Sequence, residues 1–426
     1  MTNKSGRKMI SCALIVTLFS ACASAPSSQN ESSDPVRATN SIVTKSDLKL
    51  LTKWNGVCFG AGGETGFYYP EIQQDGSALI MYLDYDSQMQ TVLCASPNCQ
   101  HKDDTCTAWF PKNQGGLIPL VMDDSLFLLS KGSDDTDEHL SRPQITRMAL
   151  NGDNRQRLIE LKTSEELLSP FISNGKEIIC VRRSFNESSS AVKPVEAIVA
   201  FDTDGGQFTE LLSFSDRSMS IIGAAGNRLF LRTLVGDEFS LCSFQVDTCE
   251  LQTLDAWSYT EKLPFTTQQG YGFVNADGTI DFYAAPQFEK QKIPGVTVPL
   301  DEKIGLESLR FVDSFDDKVV FEVYSPGATP AETVVKQYGL DTTENTLHEL
   351  TLCTNFDGVM DPIEIIAHLD DRLVVVSALS YQQKTMLDKN NMPMQVQTIG
   401  QQYALISKAN YWHSVADYEE LKSIWF

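Results

Sequence analysis

Gly226-Asn227-Arg228-Leu229-Phe230-Leu231 places a turn of Gly and Asn directly before an apolar run. The same figure recurs along the chain. It reads Ser77-Ala78-Leu79-Ile80-Met81-Tyr82, Asp124-Ser125-Leu126-Phe127-Leu128-Leu129 and Gly175-Lys176-Glu177-Ile178-Ile179-Cys180 before that point. After it come Asp277-Gly278-Thr279-Ile280-Asp281-Phe282, Asp317-Lys318-Val319-Val320-Phe321 and Asp371-Arg372-Leu373-Val374-Val375-Val376. The first bulky apolar residues fall at 79, 126, 178, 229, 280, 319 and 373. A second element keeps step, an alternating strand that breaks at an Asp or Asn turn. It appears as Tyr85-Asp86-Ser87, Leu150-Asn151-Gly152, Phe201-Asp202-Thr203, Val246-Asp247-Thr248 and Leu340-Asp341-Thr342.

Units of roughly fifty residues, each holding about four short strands, are the pattern of a β-propeller. Runs of β-branched and aromatic residues bounded by Gly, Asp and Asn are strand signals, and no long 3.6-residue period competes. Near-continuous apolar runs suit inner strands that pack on a neighbouring blade at both faces. The chain is therefore expected to be all-β, a propeller of seven blades with about four antiparallel strands each. Two β-sandwiches with the same spacing are the competing architecture. The fifth unit is the weakest: only residues 280 to 319 separate its run from the next, and Pro286 to Pro299 holds no clear Asp-turn strand.

The N-terminus carries a different signal. Lys4, Arg7 and Lys8 precede an apolar stretch from Met9 to Ser20, followed by Ala21 and Cys22. A basic start, a short apolar segment and small residues before the cut describe an export signal. The segment is too short to cross a bilayer, which takes ~20 apolar residues. Cys22 after those small residues resembles the lipobox of bacterial lipoproteins, in which that Cys is lipidated and becomes the new N-terminus. Residues 1–21 are thus expected to be a lipoprotein signal peptide. Residues 22–41, rich in Ser with Pro26 and Pro35, read as the lipidated Cys and a disordered tether, reaching roughly 25 Å at ~5–6 Å × √n. Residues 42–426 form a single propeller domain, held at the outer face of the cytoplasmic membrane. The chain has a net charge of −22. Such a surface repels phosphate backbones, which excludes nucleic acid as a partner. It also disfavours lying flat on anionic lipid, so the membrane is contacted through the anchor.

Cys94, Cys99, His101 and Cys106 form the sharpest local cluster. Three thiols and one imidazole complete a tetrahedral Cys₃His shell of a softness suited to structural Zn²⁺. Pro97 and Asn98 supply the turn that returns the chain from Cys94 to Cys99. A disulfide is the rival reading, since exported proteins meet an oxidising compartment; an odd thiol then remains unless Cys58 joins. Four protein ligands close the shell, so a catalytic metal is not expected. In either case the segment is expected to staple the first two blades together. Cys242 and Cys249 flank an Asp turn and read as two separate thiols. Cys180 and Cys353 read as small buried hydrophobes.

Two stretches also carry a resemblance. Tyr85-Asp86 followed by Leu93 to Phe110, with its C-x4-C-x-H-x4-C spacing, resembles the first-blade signature of a group of clostridial extracytoplasmic lipoproteins. Tyr403-Ala404-Leu405-Ile406-Ser407-Lys408-Ala409-Asn410-Tyr411-Trp412 is similar to the closing strand of that group, with Asn410 where Asp is expected. The resemblance implies a β-propeller lipoprotein of unknown function and supplies no activity.

No catalytic set is legible. G-x-S-x-G, P-loop and H-E-x-x-H motifs are missing from the sequence. Asn275 to Asp281 and Asp202 to Gly206 fall short of the calcium-loop pattern and read as hairpin turns. The acidic stretch Asp134 to Glu138 reads as a solvated loop. His139, His348, His368 and His413 fall in separate units. Trp257, Tyr259, Tyr271 and Trp412 read as wedge fillers between blades, with sugar stacking as the alternative. The reading is a membrane-anchored module that binds or scaffolds a protein or glycan ligand. The alternative is a secreted carbohydrate-active hydrolase or lyase. Two carboxylates or His residues clustered with aromatics at one mouth of the central channel would favour the enzyme; a smooth acidic channel mouth with an apolar patch elsewhere would favour the binding module.

Overall fold

A computed structural model of the chain describes residues 47–53, 60–112, 116–132, 142–185, 194–258, 260–329, 332–387 and 392–425. The signal peptide, Cys22, the tether, Cys58, Asp134 to Glu138, His139 and Tyr259 lie outside them. Consecutive strands assemble into seven small antiparallel sheets. These are the blades, spanning residues 61–92, 117–160, 165–214, 218–258, 262–297, 309–350 and 364–425. The molecule is a seven-bladed β-propeller.

The apolar runs explain why the sheets stand as blades. Side chains alternate between the two faces of a strand, and in the third blade Ile178 and Cys180 pack toward blade two while Ile179 and Val181 pack toward blade four. The buried side chains divide into seven clusters, one for each pair of neighbouring blades, and the cluster joining blades seven and one closes the ring. Each buried Leu, Ile or Phe contributes about 1.5–3 kcal/mol to these wedges.

One hydrogen bond recurs in every blade. At the end of the third strand a backbone N–H donates to a carbonyl in the turn between the first and second strands. The pairs are Tyr85 to Thr65, Leu150 to Asp124, Thr203 to Lys176, Val246 to Asn227, Ala285 to Gln269, Thr342 to Asp317 and Lys408 to Asp371. The Asp and Asn turns legible in the sequence therefore mark the ends of third strands. In blades three and six the Thr hydroxyl adds a second bond to the same carbonyl, at 2.9 and 2.8 Å.

Two units differ from the expected phase. Five of the seven apolar runs are second strands, but Leu79 and Ile280 lie in the third strands of their blades. The second strands there are Gly66–Ile72 and Gly270–Asn275, where Pro70 and Gly272 interrupt the apolar run. The short interval from 280 to 319 compares a third strand with a second; the fifth blade itself is complete.

The chain enters the ring from the face that carries the turns between first and second strands. Leu48 N–H donates to Gly226 O, in such a turn of blade four, at 2.7 Å. Lys49–Leu50 then adds a strand to the inner edge of blade three, antiparallel to Glu165–Ser173. Thr52 Oγ1 accepts from Phe171 N–H at 2.9 Å. Lys53 reaches the Ile365 carbonyl of blade seven and lies 3.7 Å from Asp313 of blade six. Blades six and seven stand across the ring from blade three, so residues 48–53 span the central channel.

Blade seven is also enlarged. Its second and third strands, Arg372–Leu387 and Pro393–Ser407, run well past their neighbours as an arm on the opposite face. The arm leans on blade one, where Leu387 N–H donates to Gln74 O at 3.0 Å and Lys384 Nζ to Ile72 O at 2.5 Å.

Candidate metal centre

The loop after Gln90–Val92 returns to its own blade through Trp109–Phe110, which pairs with Ala78 and Leu79. Three tight turns lie between. Cys99 N–H donates to Ser96 O at 3.3 Å, with Asn98 at φ 62°. His101 follows at φ 54°. Cys106 N–H donates to Asp103 O at 3.1 Å, a turn braced by Thr105, whose N–H and hydroxyl both donate to Asp103 Oδ1 at 3.1 and 2.6 Å. These turns bring one ligand atom each from Cys94, Cys99, His101 and Cys106 within 4.8 Å of one another. His101 Nδ1 lies 3.2 Å from Cys106 Sγ. Cys106 is fully buried and the other three are half-buried. None of the three thiols is bridged in this structure.

The surroundings fit a cation held by thiolates. The N–H groups two residues on, at Ser96 and Ala108, donate to the sulfurs of Cys94 and Cys106 and favour their ionised forms. Burial raises the Cys94 thiol, but the Ser96 N–H and hydrogen bonds from Cys106, Thr107 and Cys99 outweigh it and bring it down to about 7. Burial, reinforced by the neighbouring sulfurs, pushes Cys106 up to about 12. Cys94 is thus the more readily ionised of the two, and Cys106 holds its proton more tightly. Thr107 Oγ1 is buried without a partner of ordinary geometry, beside a sulfur able to accept from it. Arg155 supplies the outer positive charge. Its guanidinium lies 3.8 Å from the centroid of the Phe110 ring and donates to the carbonyls of Cys106, Thr107 and Trp109, the last at 2.6 Å.

Arg155 belongs to blade two, so the centre sits on the seam expected for it. Gly152, in the same turn, presses against the loop: a Cβ there would fall 2.3 Å from Leu93 O. Its φ of +88° also favours glycine. Neither Arg155 nor Thr107 was marked by the sequence, because an Arg one turn away in an adjacent blade carries no spacing signal.

The other sequence candidates are scattered. Cys180 is buried, but Cys353 is exposed and not a core residue: it opens a separate hairpin, Cys353–Phe356 with Val359–Pro362, outside the blade sheets. Cys242 Sγ lies 3.8 Å from Thr253 Oγ1 and Cys249 Sγ 3.9 Å from Val246 O. Trp257, Tyr271 and Trp412 are buried and fill wedges. His348 Nε2 lies 2.8 Å from Trp412 O. His368 belongs to a group the sequence did not reveal, at the channel. Its Nε2 is 3.0 Å from Asp313 Oδ2, the carboxylate that Lys53 also faces. Burial raises Asp313, but His368 and Lys53 outweigh it and hold the carboxyl below its usual range.

No protein-family model matches the chain, and no curated protein matches it. Solved structures do. A prolyl endopeptidase is similar at 10% identity and a TM-score of 0.48, over 86% of this chain and 55% of that one. This chain therefore spans about half the length of that protein. Oligogalacturonate lyase from Vibrio parahaemolyticus is similar at 11% identity and a TM-score of 0.44, over 89% and 97%. The β-propeller domain of the trilobed protease from Pyrococcus furiosus gives 11% and 0.40, over 72% and 95%. At such identities the likeness is one of fold, and fold does not carry function.

Proposed function

We propose that the chain is an extracytoplasmic lipoprotein, anchored through Cys22, whose propeller binds or scaffolds a partner rather than turning over a substrate. A Cys₃His zinc staple is proposed to lock its first two blades. The observation that carries the binding reading is the occupied channel. Residues 48–53 bridge the ring where a propeller's inner strands converge, while large apolar side chains stand exposed on the arm face, among them Val334 and Met394. The centre's donors already form a closed set of four, so the metal's contribution when bound is to tie the loop together. Cys94 and Cys106 hold it through sulfurs braced by N–H groups, and Arg155 balances the charge.

Fractionation of a lipoprotein-exporting bacterium tests the anchor. Cys22→Ala is expected to release the chain from membranes or leave it unprocessed; a variant retained with unchanged mature mass overturns the anchor. Two acyl chains suffice for stable attachment. The enzyme alternative has one observation in its favour, the Asp313–His368 pair beside Lys53. Incubation with polygalacturonate and other polysaccharides decides between them. No turnover is expected; turnover abolished by Asp313→Asn would establish the hydrolase or lyase instead.

A further inference from the structure

The arm of blade seven departs from the rest of the surface in its chemistry. In a chain of net charge −22, its described residues beyond the blade, 378–387 and 392–399, include a single charged side chain, Lys384. Lys384 is already engaged with Ile72 O of blade one. The remainder is Gln, Ser, Thr, Met, Tyr, Val, Ile and Leu with one Ala and one Pro. The arm's third strand pairs with the second along one side throughout, but the outermost strand, Glu419–Trp425, pairs with it only from Gly400 onward. Among the described residues, nothing pairs with the outer edge of residues 393–399. Proteins guard such edges with Lys, with Pro or by covering them. Here Pro393 guards only the first position, and Gln395, Val396, Gln397, Thr398 and Ile399 follow without a charge. Met394 and Ile399 are 46% and 41% exposed.

The arm is not isolated. Exposed apolar side chains gather at the second-to-third-strand turns of several blades, at Ile72, Phe185, Val235 and Val334 as well as Met394. That face lies opposite the one at which the chain enters the ring at Leu48. Residues 48–53 and the arm thus occupy opposite faces of the ring.

We infer that the unguarded edge at residues 393–399 is a docking strand, to which an extended, neutral-to-basic segment of a partner polypeptide adds as a further β-strand. The inference rests on the binding reading above and names its partner class. Main-chain hydrogen bonds supply affinity in this mode, and pockets for alternate side chains supply choice. Charge selects among occupants. A second copy would bring another chain of −22 alongside the first, and an anionic bilayer is repelled by the same surface. A neutral or basic strand meets no such cost.

The test selects phage-displayed random decapeptides against the full chain purified in detergent, then follows amide exchange with a synthetic winner bound. Winners are expected to be free of net negative charge and to slow exchange within residues 393–399 at least about tenfold. Gln395→Lys with Gln397→Lys, melting as the wild type does, is expected to bind the winner at least about tenfold more weakly. Winners that protect another surface, or that bind the double variant equally well, overturn the docking strand and leave the binding reading standing. Protection of residues 393–399 without peptide, in a dimer seen by light scattering or on phosphatidylglycerol vesicles, overturns the partner class. No winners together with polysaccharide turnover would sink the binding reading itself.

Discussion

Blade one is joined to its neighbours by two different chemistries. Toward blade seven the wedge is aromatic and aliphatic packing, with the arm's two hydrogen bonds to blade one beyond it: Phe67, Tyr69, Leu83 and Tyr85 meet Val374, Val376, Tyr403 and Leu405, with the Phe67 and Tyr403 rings edge to face at 5.3 Å. The backbones come close enough that a Cβ on Gly62 would fall 2.8 Å from the Ala367 Cβ. Toward blade two the wedge is also apolar, but it carries Cys106 in its interior and the Cys94 and Cys99 side chains at its edge. The first seam is stable under any condition that keeps water out. With the proposed zinc staple in place, the second would depend on pH, on oxidation and on a cation. The contrast shows why a closed ring can tolerate a conditional joint: the other six wedges hold their blades without it.

That contrast can be broken at either side. Phe67→Ala, at a fully buried ring, is expected to give the largest effect, about 3–5 kcal/mol of stability. Denaturant titration measures it, and metal content is expected to stay unchanged. A loss of metal would show that the two seams are coupled. Stripping the metal comes next. With free zinc a hundredfold above its Kd, binding contributes about 2.7 kcal/mol, so a chelator is expected to lower the melting temperature of the wild type and not that of Cys106→Ser. An equal response from both would deny the centre its role as a staple.

Arg155→Met keeps the packing on Phe110 but strips the donors from three carbonyls, at about 1–3 kcal/mol. It is expected to weaken metal retention under competition by a chelator, whereas a purely mechanical clamp would leave retention unchanged. The smallest effect lies at the channel. Asp313 is held below its usual range, so its contribution is complete above the ordinary carboxylate pKa of ~3.9 and is lost as pH falls through the depressed value. Asp313→Asn is expected to flatten that acid limb of the stability curve and to leave both flanks of blade one unaltered. An unchanged acid limb would show that His368 and Lys53 do not hold the carboxylate.

The sequence disclosed the ring because its strands are buried on both faces, so that Ile178-Ile179-Cys180 and Leu229-Phe230-Leu231 appear as unbroken runs. It misplaced the phase in blades one and five because Pro70 and Gly272 interrupt the true second strands, and the adjacent third strands then look more regular. The Cys₃His cluster was legible because all four donors share one loop. The channel group was not: Lys53, Asp313 and His368 come from three separated segments and meet only when the ring closes. The arm was hidden for another reason. Polar, uncharged alternation in Gln395-Val396-Gln397-Thr398-Ile399 reads like any half-exposed strand, and its place beside one described neighbour alone is visible only in the fold.

The segment crossing the channel has a consequence for the order of events in folding. Lys53 rests on Ile365, 312 residues downstream. Blades are local structures, each made from consecutive strands, and can form as their residues become available. The channel segment has no complete site until blades three, four, six and seven stand in place. Residues 48–53 are thus the last to find their seat, and contacts of such long range slow the final step. A stalled or truncated chain that lacks blade seven retains most of its sheets but leaves Lys53 without its acceptor at Ile365. Completion of the ring is registered at its centre by a segment made before any of the blades.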